Sequence, residues 1–154
     1  MLIKDNYKLV VICDNIRSLY NVGSIFRTAD ALGITKIYLG GITGTPAQKG
    51  VQKVALGAEK SVPWEKARNA WQVAEKLKKQ GFQIIALELT KGSIDVSMFK
   101  PKFPMALIVG NEVSGVSASL LKRSDAVIKI TMLGIKESLN VSVAFGIAAY
   151  ELMK

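Results

Sequence analysis

Two polar clusters stand out in this chain because each is set into apolar surroundings and they lie far apart in sequence. The first runs from Asn21 to Arg27 and the second is Ser138-Leu139-Asn140. Between them lie Val109-Gly110-Asn111-Glu112 and Lys129-Ile130-Thr131-Met132. These residue types suit the grip of a polar, charged ligand. A guanidinium binds phosphate, a carboxylate accepts hydrogen bonds from donors around a site, and a hydroxyl and an amide can orient a substrate. Each cluster sits where a strand hands over to a helix, the place where open α/β sheets build their sites. A site assembled from both ends of the chain follows. Each residue also has a plainer reading: Asn21, Ser138 and Asn140 as helix N-caps, Arg27 as a solvated helix arginine.

The elements that must position these residues follow from periodicity. Apolar runs of strand length alternate with longer helical patterns, which predicts a mostly parallel sheet covered by helices. The candidate strands are Leu9 to Cys13, Lys36 to Leu39, Gln83 to Leu87, Met105 to Val109 and Ala126 to Ile130. The spacing of Trp64, Ala67, Trp71, Ala74 and Leu77 predicts a helix from Pro63 to Gln80, stopped by Gly81, with both tryptophans in the core. From Asn21 onward, Val22, Ile25, Phe26 and Ala29 form a helical stripe with Arg27 on another face. Asn21 is then the cap, and Gly23 with Ser24 offers first-turn N–H groups to a phosphate. Gly110, directly after a buried strand, lets a ligand approach the backbone, and Ser117 caps a helix from Ala118 to Arg123. The last helix, Asn140 to Met153, is apolar on most of its circumference and so is buried in a core or a subunit interface. The Gly40 to Gly50 stretch reads as an exposed, mobile loop.

Composition narrows the function. At 154 residues, 49% of them hydrophobic, the chain is the size of one domain spanning 1–154. Its 21 Lys and Arg against 12 Asp and Glu give a net charge of +9, so a polyanion suits it better as partner than a neutral metabolite. The single cysteine, Cys13, rules out an internal disulfide and lies in an apolar run that buries its thiol. The absence of histidine excludes His-based metal sites and His-dependent triads, and no metal is expected. No apolar stretch reaches the roughly 20 residues that cross a bilayer, and Met1-Leu2-Ile3-Lys4-Asp5 is too short and polar for a signal peptide, so a cytoplasmic protein without a membrane partner is expected. No G-x-G-x-x-G follows a candidate strand and there is no P-loop, so a nucleotide-like cofactor would have to be held by backbone groups of several loops.

Three segments together resemble the motifs of the TrmH (SpoU) family of RNA ribose 2′-O-methyltransferases, within the SPOUT superfamily. They are Asn21-Val22-Gly23-Ser24-Ile25-Phe26-Arg27-Thr28-Ala29-Asp30, then Ile108-Val109-Gly110-Asn111-Glu112-Val113-Ser114-Gly115, then Ile130 through Met132 to Ser138-Leu139-Asn140-Val141-Ser142-Val143-Ala144. All three occur in order with compatible spacing. Two departures are Thr131, where many relatives carry proline, and Asn111 between Gly110 and Glu112.

Periodicity alone predicts a doubly wound sheet without a knot. The resemblance instead implies an α/β fold, a mostly parallel sheet flanked by helices with a deep C-terminal trefoil knot. It further implies a homodimer with the knot regions at the interface and S-adenosylmethionine as cofactor. It places Arg27, Asn21, Glu112, Ser138 and Asn140 around the ribose and its phosphate, with Glu112 holding Asn21 or Arg27. Gly110, Ile130 and Leu139 lie against the cofactor, with Leu89 or Thr90 and Met132 nearby. Arginine stays protonated at working pH, so Arg27 acts as a grip on phosphate and hydroxyl and not as a simple base. The implied partner is RNA, tRNA ahead of ribosomal RNA, because 154 residues leave no room for an additional RNA-binding domain. Lys49, Lys53, Lys60, Arg17, Lys100 and Lys102 are candidate phosphate contacts. The competing readings are a catalytically inert RNA-binding module of the same fold, a small-molecule enzyme of ordinary Rossmann type, and a base methyltransferase of a related knotted family.

Overall fold

Strands whose residues are apolar in an unbroken run belong in the middle of a sheet covered on both faces. In the computed structural model, which describes residues 7–154, β1 (Leu9–Asp14) and β6 (Met105–Val109) are buried at every position and lie side by side. Met1–Asn6, including the segment expected not to be a signal peptide, lies outside the described residues. β2 (Lys36–Gly40), β3 (Trp64–Ala67), β4 (Gln83–Leu87), β5 (Ile94–Asp95) and β7 (Ala126–Lys129) complete a seven-stranded sheet in the order β3-β2-β1-β6-β4-β7-β5. Every pairing is parallel, so the C-terminal ends of the strands share one side of the sheet.

Side chains alternate across the pleat. Leu9, Val11, Cys13, Ile85, Leu107 and Val109 face α1 (Leu19–Leu32), α2 (Lys49–Ala55), α3 (Ala58–Ser61) and α6 (Val141–Leu152). Val10, Ile12, Ile84, Ala106 and Ile108 face α4 (Ala70–Lys79) and α5 (Ala118–Arg123). Burial in the first layer and the neighbouring Asp14 and Glu112 charges push the Cys13 thiol up to about 12, so it is a packing residue.

Several expectations are corrected. The stretch expected as one helix from Pro63 to Gln80 divides into β3 and α4. Residues 64–67 pair with β2, whose hydrogen-bonding edge would otherwise be open, and tertiary pairing overrides a weak helical stripe. Trp64 is consequently 38% exposed instead of in the core. Trp71 is half-buried, with the Arg123 guanidinium 4.7 Å from its ring centre. The cap of α1 is Ser18, not Asn21: its hydroxyl accepts the Asn21 N–H at 3.2 Å. Gly23 therefore falls inside the helix, where a Cβ would come 2.5 Å from the Val51 carbonyl oxygen. Its task is close helix packing, not phosphate binding. Ser117 does occupy the cap position of α5 but its side chain makes no cap bond; its N–H donates to Asp14 Oδ2 at 2.9 Å. The segment expected as a mobile loop, Gly40 to Gly50, is tied down. Thr43 is fully buried, its hydroxyl donating to the Gly40 carbonyl and accepting the Ile16 N–H, and the Lys66 ammonium donates to the carbonyls of Gly41 and Thr43. The last helix does cap on Asn140, but only one of its faces is buried.

Candidate active site

The strand ends of β4, β6 and β7 and the turns that follow them open into a cleft of about 540 Å³, the size of a site for a nucleoside-like ligand. Gly110 forms its floor. The backbone folds back at once, with Asn111 and Gly115 bridged, and a Cβ on Gly110 would lie 2.3 Å from the Gly115 carbonyl carbon. Asn111 builds that turn by accepting the N–H groups of Val113 and Ser114, and its amide donates to the Asn15 carbonyl at 2.7 Å.

Glu112 projects from this turn towards the start of α1. Its carboxylate accepts the N–H groups of Arg17 (2.9 Å) and Ser18 (3.0 Å) and the Asn21 amide (3.1 Å). Partial burial disfavours the charged form, but these donors outweigh it and hold the carboxyl below its ordinary range. A carboxylate only accepts, so Asn21 must present its NH₂ to Glu112 and its oxygen outward. That oxygen accepts the Asn140 amide at 3.0 Å, and Asn140 Oδ1 in turn accepts Ser142 N–H at 2.9 Å and Val143 N–H at 3.4 Å at the start of α6. A directed chain, α6 to Asn140 to Asn21 to Glu112, thus joins three segments separated by 91 and 119 positions.

Of the expected cofactor contacts, Leu89, Gly110, Ile130, Met132 and Leu139 line the cleft; Thr90 does not. Thr90 is exposed one residue beyond, its carbonyl taken by the Ser93 hydroxyl at 2.8 Å. Of the expected ribose residues, Glu112, Ser138 and Asn140 line the cleft, and Asn21 reaches it through its two bonded partners. Glu112 holds Asn21 and not Arg27. Arg27 lies outside the lining, exposed on α1 about 9 Å along the helix from Asn21. Thr131 starts the β7–α6 segment tied to the β5 edge, its N–H and hydroxyl both donating to Asp95 Oδ2. Arg17, Lys49 and Lys53 are exposed before the start of α1 or on α2 packed against it, whereas Lys60 is exposed on α3, whose Ser61 bonds Asp30 near the C-terminal end of α1, away from the cleft. Lys100 and Lys102 are also exposed but lie at the far end of the sheet: they precede β6, and Lys102 N–H bonds Gln83 at the start of β4.

Sequence reasoning missed Glu88, directly after β4, and the role of Lys129 in the lining. The signal for Glu88 was its place just past the C-terminal end of a parallel strand. The residues fit the cofactor named by the resemblance. The apolar walls of Leu87, Leu89, Ile130, Met132 and Leu139 suit a flat base, the glycine floor allows backbone contact, and the carboxylates of Glu88 and Glu112 suit a cationic group. Among the described residues no His, Cys, Asp and Glu group could hold a metal ion, and no helix is long and apolar enough to cross a membrane.

Comparison with known proteins agrees with this geometry. The family model described as SpoU rRNA Methylase family matches residues 8–150. A tRNA (guanosine(18)-2′-O)-methyltransferase of Aquifex aeolicus is 38% identical over 95% of this chain and 69% of its own length. The AdoMet-bound rRNA methyltransferase from Sinorhizobium meliloti superposes with a TM-score of 0.90 at 30% identity, covering 96% of this chain and 56% of that one. The A. aeolicus TrmH/SpoU tRNA modifying enzyme gives 0.86 at 36% identity, covering 96% and 76%. The chain thus spans little more than half the length of some relatives. Because the match runs through every strand and turn that builds the cleft, the chain belongs to the SpoU rRNA methylase family.

Proposed function

We propose that this chain methylates a ribose 2′-hydroxyl of RNA, tRNA ahead of ribosomal RNA, with S-adenosylmethionine as donor. The observation that carries the reading is the Glu112–Asn21–Asn140 chain at the mouth of a nucleoside-sized cleft. When bound, the cofactor supplies an electrophilic sulfonium methyl. Asn140 and Ser138 orient the ribose, and Glu112 fixes Asn21. Arg27, which stands exposed outside this lining and makes no ion pair among the described residues, takes from the resemblance the task of gripping the neighbouring phosphate and polarising the 2′-hydroxyl. As the oxygen attacks, its proton passes to a phosphate oxygen or water. Holding the two reactants in line supplies about 7–11 kcal/mol, so no strong base is required.

The active form in this reading is a homodimer of single methyltransferase domains acting in the cytoplasm. Val143, Ile147 and Tyr150 leave α6 with an exposed apolar face, 44–60% open, and Leu133 and Ile135 in the loop before it are almost fully exposed. Such a face is suited to a second copy. The insertion of β6 between β1 and β4, with α6 returning onto α1, supports the knot implied by the resemblance. The test is transfer of labelled methyl to tRNA and, separately, to unmodified ribosomal RNA, followed by nucleoside analysis. Label in a 2′-O-methylnucleoside supports the proposal. Cofactor and RNA binding without transfer would leave an inert RNA-binding module, and no cofactor binding would sink the reading.

A further inference from the structure

Glu88 and Lys129 are the cleft residues whose charges the reaction above does not use, and Glu88 is the acidic one. Its carboxylate is held at two points, Oε2 accepting Val116 N–H at 2.8 Å and Oε1 accepting Leu89 N–H at 3.1 Å. It also sits close against Gly115: a Cβ there would lie 2.1 Å from Oε2, and Gly115 itself has a φ of +72°, which favours glycine. The charged groups lining the cleft are Glu88, Glu112 and Lys129, two negative and one positive, in a chain of net charge +9. That local sign is wrong for a phosphate chain and right for a cation. S-adenosylmethionine carries the inverse set: a sulfonium and an ammonium against one carboxylate. Its product, S-adenosylhomocysteine, has lost the sulfonium charge and is neutral overall.

We propose that Glu88 is a specificity-determining residue of the cofactor site, its fixed carboxylate biasing the cleft towards the sulfonium donor and against the spent thioether. The inference rests on the cofactor reading and goes beyond it. It gives the cleft a means of releasing product, because a favourable charge interaction present with the donor is absent afterwards.

The experiment is calorimetric titration of the full chain and its Glu88→Gln variant with S-adenosylmethionine, S-adenosylhomocysteine and sinefungin, which carries an ammonium in place of the sulfonium. The glutamine keeps an oxygen acceptor for one of the two N–H groups. Loss of one unit charge from a half-buried wall is expected to lower the preference for the donor over the thioether about tenfold, equivalent to about 1.4 kcal/mol. Sinefungin should weaken along with the donor while the thioether holds its affinity, and Glu88→Asp should recover part of the preference. If donor and thioether weaken together, Glu88 is only a staple between two loops and the inference is wrong; an unchanged ratio also overturns it. Failure of the unaltered chain to bind any of the three would instead overturn the cofactor reading, and this inference with it.

Discussion

Replacing Glu112 by glutamine tests the hydrogen-bond chain and the charge on it together. Three N–H donors converge on the carboxylate, from Arg17, Ser18 and Asn21. A glutamine oxygen satisfies two at most, and its own NH₂ then confronts the third. A hydrogen bond to a charged group contributes about 1.5–3 kcal/mol; because Glu112 is exposed to solvent, screening reduces the expected net loss to about 1 kcal/mol. For a chain of this size that lowers Tm by about 2–4 °C. The effect has a defined pH window. The folded chain holds the Glu112 carboxyl below its ordinary value of 4.5, so its contribution is complete above that value and is lost as pH falls through the lower, folded-state value. Thermal melts of both proteins by circular dichroism between pH 3 and pH 8 provide the assay. The gap in Tm should be full at pH 7 and shrink towards the acid end. A gap independent of pH, or none at pH 7, would refute the assignment of Glu112 as an ionised anchor for the start of α1.

Arg27→Ala should leave the affinity for S-adenosylmethionine unchanged in a binding titration while methyl transfer falls about 10²–10³-fold; weak cofactor binding with normal turnover would refute its role. Gly110→Ala should force the Asn111–Gly115 turn outward, costing about 1–3 kcal/mol in a denaturant titration and weakening cofactor binding, since its Cβ has 2.3 Å to the Gly115 backbone. Ile147→Asp, on the open face of α6, should turn a dimer into a monomer in sedimentation velocity without unfolding it; a wild-type monomer would contradict the proposed interface.

The five inner strands were legible because burial on both faces demands continuous apolar runs, and short apolar runs bounded by turn residues suit few other places in a fold. β3 and β5 were not, since an edge strand is specified by its neighbour's open hydrogen bonds: Trp64-Glu65-Lys66-Ala67 is mostly exposed, and β5 has only two residues. Glu112, Ser138 and Asn140 could be found because they occupy turns where polar residues interrupt apolar stretches. Glu88 was hidden between Leu87 and Leu89, where the pattern reads as a strand running on. Nor could periodicity reveal that β6 lies between β1 and β4, since strand order is a property of the whole chain.

The bond between Asn21 and Asn140, 119 positions apart, has a bearing on how the protein comes into being. Asn21 is made well before its partner Asn140 and the helix that Asn140 caps. All-parallel pairing likewise waits on distant segments, which makes such sheets slow to assemble. A nascent chain still lacking α6 leaves Asn21 with only one of its two partners. The Glu112–Asn21–Asn140 chain is therefore closed only once α6 has been made and packed, and a complete hydrogen-bond chain becomes a marker of a matured fold.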